Sequence, residues 1–354
     1  MKKRKITALI LLVAVVIGMF AGCNNAATEE QSSEVSLSPI EISKENSKYI
    51  SSFGRQFVGL RKDGTVVGKS MDSDYKDEYG SLKISNWEDI VAVSAGPGHT
   101  VGLKSDGTCV ATGYNDDSRC DVYDWTDIVE VVSGNHHTVG LKSNGRVLSV
   151  GSNHYGQTNV NDWVDIVDIY AGSSQTVGVK ADGTIIAVGY GTDTLEWMNV
   201  CGVFKWTDIV KILCLNDEEI IGLKSDGTLV FAGDYDSSNE EHANTLRKSH
   251  KSMSQWEDIV AISSLIHDGD YIGLKSDGTL LHTAGVTSVH GEDNHFNYIN
   301  IDDCNDIIAI SGRYLLRSNG DVVFIKDAKN LNDFLTNKSN SKYLTQSTGI
   351  NLFS

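Results

Sequence analysis

The chain is poor in positive charge. Lys and Arg number 30 against 47 Asp and Glu, so the formal net charge is −17 at pH 7. Removal of residues 1–22 would also remove Lys2, Lys3, Arg4 and Lys5, giving −17 − 4 = −21. This deficit argues against binding nucleic acid or anionic lipid head groups through a basic patch. The acidity favours a basic partner, or it serves solubility alone.

The usual signatures of catalysis are also missing. The sequence has no Gly-x-Ser-x-Gly, no His-Glu-x-x-His and no Gly-x-x-x-x-Gly-Lys-Ser/Thr motif. Residues 72–78 resemble a calcium loop, but Lys76 stands at a ligand position and the loop lacks its glycine. We therefore predict a protein that is not an enzyme and has no cofactor and no metal site.

Cysteine is sparse, and no pair has Cys-x-x-Cys spacing, which argues against a zinc site. Five cysteines follow Cys23, an odd number, so at least one is free or pairs between molecules. Cys109 falls on a predicted third strand and Cys120 just before a predicted fourth. These two form a candidate disulfide.

No apolar run is long enough to anchor the chain across a bilayer. The run from Ile6 to Phe20 is too short, and it follows four basic residues, as in a signal peptide. Phe20-Ala-Gly-Cys23 resembles a bacterial lipobox, in which cleavage precedes a lipidated cysteine. We predict a lipoprotein signal peptide at 1–22 and a flexible linker at 23–45 that begins with lipidated Cys23. The protein would be extracytoplasmic and lipid-anchored to the bacterial cell membrane. The alternative is an ordinary secretory signal.

One unit recurs along the rest of the chain: an apolar strand, an Asp-Gly or Asn-Gly turn, a second apolar strand and a glycine. The turn glycines are Gly64, Gly107, Gly145, Gly183, Gly227, Gly278 and Gly320. A Trp-x-Asp-Ile-Val segment precedes five of the turns, starting at Trp87, Trp125, Trp163, Trp206 and Trp256, and Cys304 takes the Trp place in a sixth. Seven copies with a period near 40 residues predict a β-propeller of seven blades.

Residues 87–124 illustrate the predicted blade. A β-branched first strand follows Trp87, and the Asp106-Gly107 turn joins the second and third strands. A short fourth strand is expected around Val122, a position that is apolar in each copy that aligns. The predicted fold is therefore all-β, a seven-bladed β-propeller of four-stranded antiparallel blades over 46–354. The predicted repeats are about 46–86, 87–124, 125–162, 163–205, 206–255, 256–303 and 304–354.

Several of these motifs are similar to those of the regulator-of-chromosome-condensation repeat family. The resemblance rests on Gly96-x-x-His99-Thr-Val, Gly134-x-x-His137-Thr-Val, Lys-Ser-Asp-Gly and Gly151-Ser-Asn-His-Tyr-Gly156-Gln. It covers about residues 50–325 and looks more like the bacterial branch of the family. It implies a seven-bladed propeller that acts mainly by binding proteins. A nuclear exchange-factor function does not transfer to a chain with a lipobox, and β-lactamase inhibition stays open.

The length of the repeat varies in one place. The distance from Trp to the turn glycine is 20 to 22 residues, whereas the stretch after the third strand ranges from 12 to 23. Because strands alternate in direction, these variable stretches share one face with the connections between first and second strands. Loops on a rigid scaffold commonly bind partners, so we predict that this face binds. The candidate binding residues are Tyr114, Asn115, Asp116, Asn153, His154, Tyr155, Tyr190, Trp197, Tyr235, His295 and Phe296.

His99 and His137 occupy matching repeat positions, which favours a structural over a catalytic role. The predicted function is therefore a lipid-anchored binding module for an unknown envelope or secreted protein. The first alternative is binding to a cell-wall glycan through Tyr and Trp. The second is a hydrolase or lyase whose site lies at the propeller axis. Membrane contact is expected through the lipid anchor alone, and no nucleic acid is expected.

Overall fold

The computed structural model describes residues 46–53, 56–70, 77–190, 203–214, 219–233, 240–264, 271–283, 306–325 and 345–353. All of them belong to one compact unit, Ser38–Ser354. The predicted signal peptide and the whole predicted linker, including Cys23, lie outside these residues. Within them, no helix has the length and hydropathy needed to cross a membrane.

The described residues form seven antiparallel sheets, numbered here in chain order. The strands of sheets 1 to 4 are β1 Ile50–Phe53, β2 Gln56–Leu60 and β3 Val66–Ser70; β4 Ile90–Ala95, β5 His99–Lys104 and β6 Cys109–Gly113; β7 Ile128–Ser133, β8 His137–Lys142 and β9 Val147–Gly151; β10 Ile166–Ala171, β11 Gln175–Lys180 and β12 Ile185–Gly189. Those of sheets 5 to 7 are β13 Ile209–Cys214, β14 Glu219–Lys224 and β15 Leu229–Gly233; β16 Ile259–Ser264, β17 Tyr271–Lys275 and β18 Leu280–His282; β19 Ile307–Ser311, β20 Tyr314–Arg317, β21 Asp321–Ile325 and β22 Thr345–Asn351. A short 3₁₀ helix, Val203–Lys205, precedes β13, and one α-helix, α1 Glu240–Met253, follows β15.

The first strands of successive sheets contact one another in order, and β19 returns to contact β1. The first strands therefore form an inner circuit, as in a β-propeller. The hydrophobic core lies between the sheets. In one cluster, Leu103 and Cys109 of sheet 2 pack with Trp125, Ile128 and Val131 from the start of the third repeat. Each repeat thus buries its apolar side chains against its neighbour.

The Trp-x-Asp-Ile-Val segment joins each sheet to the one before it. The Ile90 N–H donates to the carbonyl of turn residue Gly64 at 3.1 Å, and the Asp89 carbonyl accepts from Ser105 N at 2.9 Å. Asp89 has φ of 59°, and the aspartates at the same place in four other repeats have φ between 59° and 63°. Aspartate tolerates this left-handed conformation better than most residues, which explains its recurrence.

The tryptophan of the segment packs on a glycine of the second strand. A Cβ at Gly102 would lie 2.8 Å from Cζ3 of Trp87, and the corresponding glycines of four other sheets meet their tryptophans at 2.6–2.9 Å. The residue three places before each Trp is also buried, with exposure of 1% or less for Ile84, Val122 and Val160. The sequence prediction of a recurrent apolar position is confirmed for these copies.

Within the described ranges, sheets 1 to 6 have three strands each and sheet 7 has four. The predicted fourth strand is not formed around Val122 or Val160, whose segments are described in full. In repeat 2, the residues after β6 bond among themselves instead. Ser118 N donates to the Asn115 carbonyl at 3.0 Å, and Cys120 N donates to the Asn115 side chain at 2.7 Å. These turn bonds occupy the backbone groups that a fourth strand would have needed.

Residues near the end of the sequence complete both sheet 7 and sheet 1. Strand β22 pairs with β21, and Leu352 then lies on Gly59, where a Cβ would be 2.7 Å from Leu352 Cδ2. Leu352 N donates to the Gly320 carbonyl at 2.9 Å, and Lys62 N donates to the Leu352 carbonyl at 3.2 Å. Leu352 therefore takes the place that Trp87 has on Gly102, and it makes both junction bonds of the missing Trp-x-Asp-Ile segment.

Helix α1 occupies part of the long insertion after β15. Its Leu246 is fully buried. Its His250 bonds to Glu219 at the start of β14, and the ring of His250 stacks on Phe231 with centroids 4.4 Å apart. Tyr271 donates its hydroxyl to the other oxygen of Glu219. Helix α1 is therefore anchored to sheets 5 and 6.

Candidate functional site

The connections between first and second strands lie beside the connections that follow the third strands. Tyr114 N donates to the Gly98 carbonyl at 2.7 Å, Ser152 N to His136 at 2.8 Å and Tyr190 N to Ser174 at 2.9 Å. We call the surface formed by residues 77–86, 96–98, 113–124, 134–136, 151–162, 172–174 and 190 the loop face. All of these residues belong to repeats 1 to 4.

Two pairs of tyrosines are the most exposed aromatic contacts on the loop face. Tyr79 and Tyr114 meet edge to face with ring centroids 5.0 Å apart, and Tyr155 and Tyr190 do so at 5.1 Å. Tyr79, Tyr155 and Tyr190 are 55%, 50% and 45% exposed. Such rings offer rigid contact area with a polar tip, as interface hot spots commonly do.

A buried arginine fixes the first tyrosine pair. The guanidinium carbon of Arg119 lies 4.7 Å from the ring centroid of Tyr114. Arg119 is 4% exposed and makes a bidentate ion pair with Asp117, with Nε 2.7 Å from Oδ1. Its Nη1 donates to the Asn135 carbonyl at 2.8 Å, and its Nη2 lies 3.1 Å from His136 Nδ1. The charge of Arg119 is thus paired within the protein, and the side chain supports the surface rather than serving as a free cation.

Buried histidines connect this surface to the sheets below. Thr138 Oγ1 donates to the Arg119 carbonyl at 2.6 Å, so its single hydrogen is committed there. His99 Nε2, 2.9 Å from Thr138 Oγ1, must therefore be the donor. The same chain of bonds recurs one repeat later, from His137 through Thr176 to the Gln157 carbonyl. Both histidines carry their proton on Nε2. Each bonds to a threonine of the next repeat, which in turn holds the loop that follows the third strand of the histidine's own repeat.

Burial governs the charge state of these two histidines. It lowers the pKa of His99 to about 3, with a further contribution from the Arg119 cation. Burial likewise lowers the pKa of His137 to about 4, helped by the neighbouring His136. Both side chains are neutral at pH 7, which accords with the structural role predicted from their repetition.

Two of the predicted binding residues, Asn115 and Asn153, make hydrogen bonds within their own loops. Asn115 donates from Nδ2 to Asp121 at 2.9 Å and accepts from Cys120 N, and Asn153 makes the matching bonds to Asn159 and Thr158. Their side chains close the loop on itself. Asp116 is exposed and raises the pKa of Tyr114 through its negative charge and a hydrogen bond. His154 is exposed beside Tyr155.

Four predicted binding residues, Trp197, Tyr235, His295 and Phe296, lie outside the described residues. The structure adds a participant that the sequence prediction omitted, since Tyr79 contacts Tyr114. Its position in the repeat was a usable signal, because Tyr79 and Tyr155 each lie five residues before the buried apolar residue of their repeat, Ile84 and Val160.

Cys109 and Cys120 are free thiols in the structure, so the candidate disulfide is not formed there. Cys120 Sγ instead donates to the Tyr114 carbonyl at 3.4 Å. Both cysteines line a pocket of about 510 Å³ at the outer edge of β6. Burial raises the pKa of Cys109 to about 12 and that of Cys120 to about 11, which makes both thiols poor nucleophiles.

Over the described ranges, no group of three or more His, Cys, Asp or Glu side chains is arranged to hold a metal ion. At the inner circuit, Tyr170 of β10 is partly buried, and the desolvation of its hydroxyl together with the charge of Asp168 raises its pKa well above the usual value. Asp168 is 4% exposed.

Comparison with known proteins supports the repeat assignment. Residues 90–119 and 128–157 match the model of the regulator of chromosome condensation (RCC1) repeat. Each matched segment starts on a first strand and ends on the loop face, at Arg119 and Gln157. The resemblance stated from the sequence is confirmed. No curated protein sequence matches the chain.

Solved structures share the fold at low sequence identity. A chain in the complex of Kap60 with yeast RCC1 (Prp20) is 14% identical, with 86% of each chain covered and a TM-score of 0.51. The ectodomain of the receptor kinase CR4 of Physcomitrella patens is 13% identical over 79% of this chain and 70% of its own, with a TM-score of 0.50. For Prp20p of Saccharomyces cerevisiae the identity is 15% and the TM-score 0.39. That match covers 52% of this chain and 57% of Prp20p.

Proposed function

We propose that this chain, with its RCC1 repeats, is a protein-binding module that engages a partner through the loop face. The observation that carries the proposal is the pair of exposed tyrosine contacts, Tyr79–Tyr114 and Tyr155–Tyr190, on a scaffold of seven sheets. The tyrosines are held in place by backbone bonds and by Arg119. Pre-positioned side chains lose little conformational entropy on binding, which favours affinity.

The shared fold is consistent with this role. In a solved complex of the same fold, yeast RCC1 (Prp20) is bound to the protein Kap60. We extend to this chain only the general property of protein binding. We further propose that the seven sheets are the seven blades of one propeller closed by Leu352, because Leu352 bonds to turns of both sheet 7 and sheet 1.

Location is a proposal that rests on the sequence. The basic residues at 2–5, the apolar run 6–20 and the small residues before Cys23 support a lipid-anchored, extracytoplasmic module. Replacement of Cys23 by Ser would release the protein from the membrane fraction if Cys23 carries lipid. Unchanged membrane association of the Cys23→Ser variant would overturn the anchor.

The binding role is tested by affinity capture from envelope and secreted fractions with the full chain as bait. The variant carrying Tyr155→Ala and Tyr190→Ala should lose the captured protein. Val129→Ala is the control, because Val129 is 54% exposed on β7 and lies outside the loop face. Deletion of the insertion after β15 is unsuitable as a test, since helix α1 packs His250 on Glu219. Equal capture by the double variant and the wild type would remove the tyrosines from the binding surface.

A cell-wall glycan is the second candidate partner, because exposed tyrosine rings can also stack on sugars. Tyr155 and Tyr190 are the described residues that favour it. Saturable binding of purified peptidoglycan that is lost in the Tyr155→Ala, Tyr190→Ala variant would support a glycan over a protein. The prediction that the chain is not an enzyme stays a prediction.

A further inference from the structure

The two tyrosine pairs occupy the same positions of the repeat. Tyr79 and Tyr155 each lie five residues before the buried apolar residue that precedes the Trp. Tyr114 and Tyr190 each follow directly the glycine that ends a third strand. The first pair therefore bridges repeats 1 and 2, and the second bridges repeats 3 and 4, with nearly equal centroid distances and interplanar angles of 80° and 89°.

The junction between these pairs is different. At the two equivalent positions, repeat 2 has Asp117 and repeat 3 has Ser152. Asp117 pairs with Arg119, so the middle junction is polar and its charges are mutually compensated. The loop face thus alternates an aromatic contact, a polar junction and a second aromatic contact over four consecutive repeats.

We call the part of the loop face that runs from the first tyrosine pair to the second the strip, and its charge is negative. The connections at 77–86 and 113–124 contain six carboxylates, those of Asp77, Glu78, Asp116, Asp117, Asp121 and Asp124, against Lys83 and Arg119, giving 2 − 6 = −4. Arg119 is already paired, whereas Glu78 and Asp116 are exposed. A partner that lies across the strip is therefore attracted if it carries cationic groups.

Both tyrosine pairs are positioned before any partner binds. Tyr114 and Tyr190 are tied through their N–H groups to the neighbouring connection. Tyr155 N donates to the buried Gln157 side chain at 2.9 Å. Two rigid, equivalent contacts on one face can be engaged at once by a single ligand, which strengthens binding without a large interface.

We propose that the loop face binds an extended polypeptide segment of a partner protein at two equivalent points. The segment places one apolar or aromatic side chain against each tyrosine pair and a Lys or Arg between them. This inference rests on the proposed function, since it specifies how the binding module recognises its protein partner. An extended chain advances about 3.3 Å per residue, against about 1.5 Å in a helix, so it spans two separated contacts with fewer residues.

The test uses a display library of random 16-residue peptides, selected on the full chain and counter-selected on the Tyr79→Ala, Tyr155→Ala variant. We expect selected peptides to contain two apolar residues separated by a stretch with Lys or Arg. Tyr79→Ala or Tyr155→Ala alone should lower the affinity for a selected peptide about tenfold. The double substitution should lower it about a hundredfold, because the free-energy changes at distant sites add. Phe at either position should retain binding, and Val129→Ala, which lies outside the loop face, should leave it unchanged.

The outcomes separate this inference from the proposed function. If peptides bind the chain but their affinity is unchanged by both tyrosine substitutions, or is changed by a substitution in only one pair, the two-point inference is wrong. The proposal of a protein-binding module would then still stand. Selected peptides that lack basic residues, or whose affinity is independent of salt, would also overturn it. If no peptide binds the wild-type chain and peptidoglycan does, both the inference and the protein-binding function are wrong. Melting temperatures of the variants show whether they are folded.

Discussion

Acidification should destabilise this protein through His99 and His137. Both are buried and neutral in the folded chain, with pKa values of about 3 and about 4, whereas an unfolded histidine has a pKa near 6.5. Between these values the unfolded chain binds protons that the folded chain does not. Stability from these residues is therefore fully present above about pH 6.5, and it falls as the pH drops towards the folded pKa values.

The expected size follows from the same numbers. At pH 5 an unfolded histidine lies about 1.5 pH units below its pKa, so protonation favours unfolding by about 2 kcal/mol for each residue. The two histidines together should lower the free energy of unfolding by about 4 kcal/mol between pH 7.5 and pH 5. This is a large share of the stability of a typical domain.

The perturbation that isolates this effect is the double variant His99→Gln, His137→Gln. Glutamine occurs naturally at the equivalent position of repeat 4, where Gln175 Nε2 donates to the Tyr190 carbonyl at 3.0 Å. Glutamine does not titrate, so the variant should lose the acid-dependent part of unfolding, although its stability at pH 7.5 will also change. Carboxylates titrate in both proteins, and their contribution cancels in the difference between the two pH profiles.

Urea unfolding at pH 7.5, 6.5, 5.5 and 5.0, followed by tryptophan fluorescence, measures the effect. On acidification from pH 7.5 to pH 5, the free energy of unfolding should fall by about 4 kcal/mol more in the wild type than in the double variant. His154→Gln is the matched control, because His154 is exposed on the loop face, and it should keep the wild-type profile. Identical pH profiles for the wild type and the double variant would refute the neutral, buried state of these histidines.

Three further predictions concern the scaffold. Leu352→Ala should lower the free energy of unfolding by about 2–5 kcal/mol, because Leu352 is fully buried on Gly59. Thermal unfolding measures this loss. An unchanged melting temperature would contradict the proposal that Leu352 joins sheet 7 to sheet 1. Gly102→Ala should lower the free energy of unfolding by about 1–3 kcal/mol, because the added Cβ would lie 2.8 Å from the Trp87 ring. In urea unfolding, the same Gly102→Ala change should lower the free energy of unfolding less when it is made in a Trp87→Leu background. An equal loss in both backgrounds would count against the contact. Cys109 and Cys120 should react with a thiol reagent only after the protein unfolds, since burial raises the pKa of both thiols. If the unfolded protein without reductant has two fewer reactive thiols than the unfolded protein with reductant, the candidate disulfide forms.

The repeat and its turns were predictable from the sequence because they depend on local chemistry. Gly107 has φ of 81°, which glycine adopts readily, and Thr108 bonds to the Asp106 side chain through both N and Oγ1. The spacing between Trp125 and Val122 is likewise set by a backbone bond of 3.1 Å. Features formed by residues a few places apart are thus visible as sequence motifs.

Features that depend on distant residues were not predictable in the same way. Leu352 replaces a tryptophan on Gly59, yet nothing in the residues around Leu352 resembles Trp-x-Asp-Ile. The fourth strand was expected from the apolar Val122, but Asn115 draws that segment into a turn. Of the binding candidates, the tyrosines were found from residue type, whereas the structural use of Asn115 and Asn153 became clear only from their hydrogen bonds.

The position of Leu352 has a consequence for the order of events during translation. Strands β1 to β3 leave the ribosome early, but the side chain that covers Gly59 is synthesised after every strand of the other six sheets. Until then, the nascent first sheet exposes apolar residues such as Phe57, which is fully buried in the finished protein. A chain that ends before residue 351 would therefore leave this apolar surface of sheet 1 uncovered.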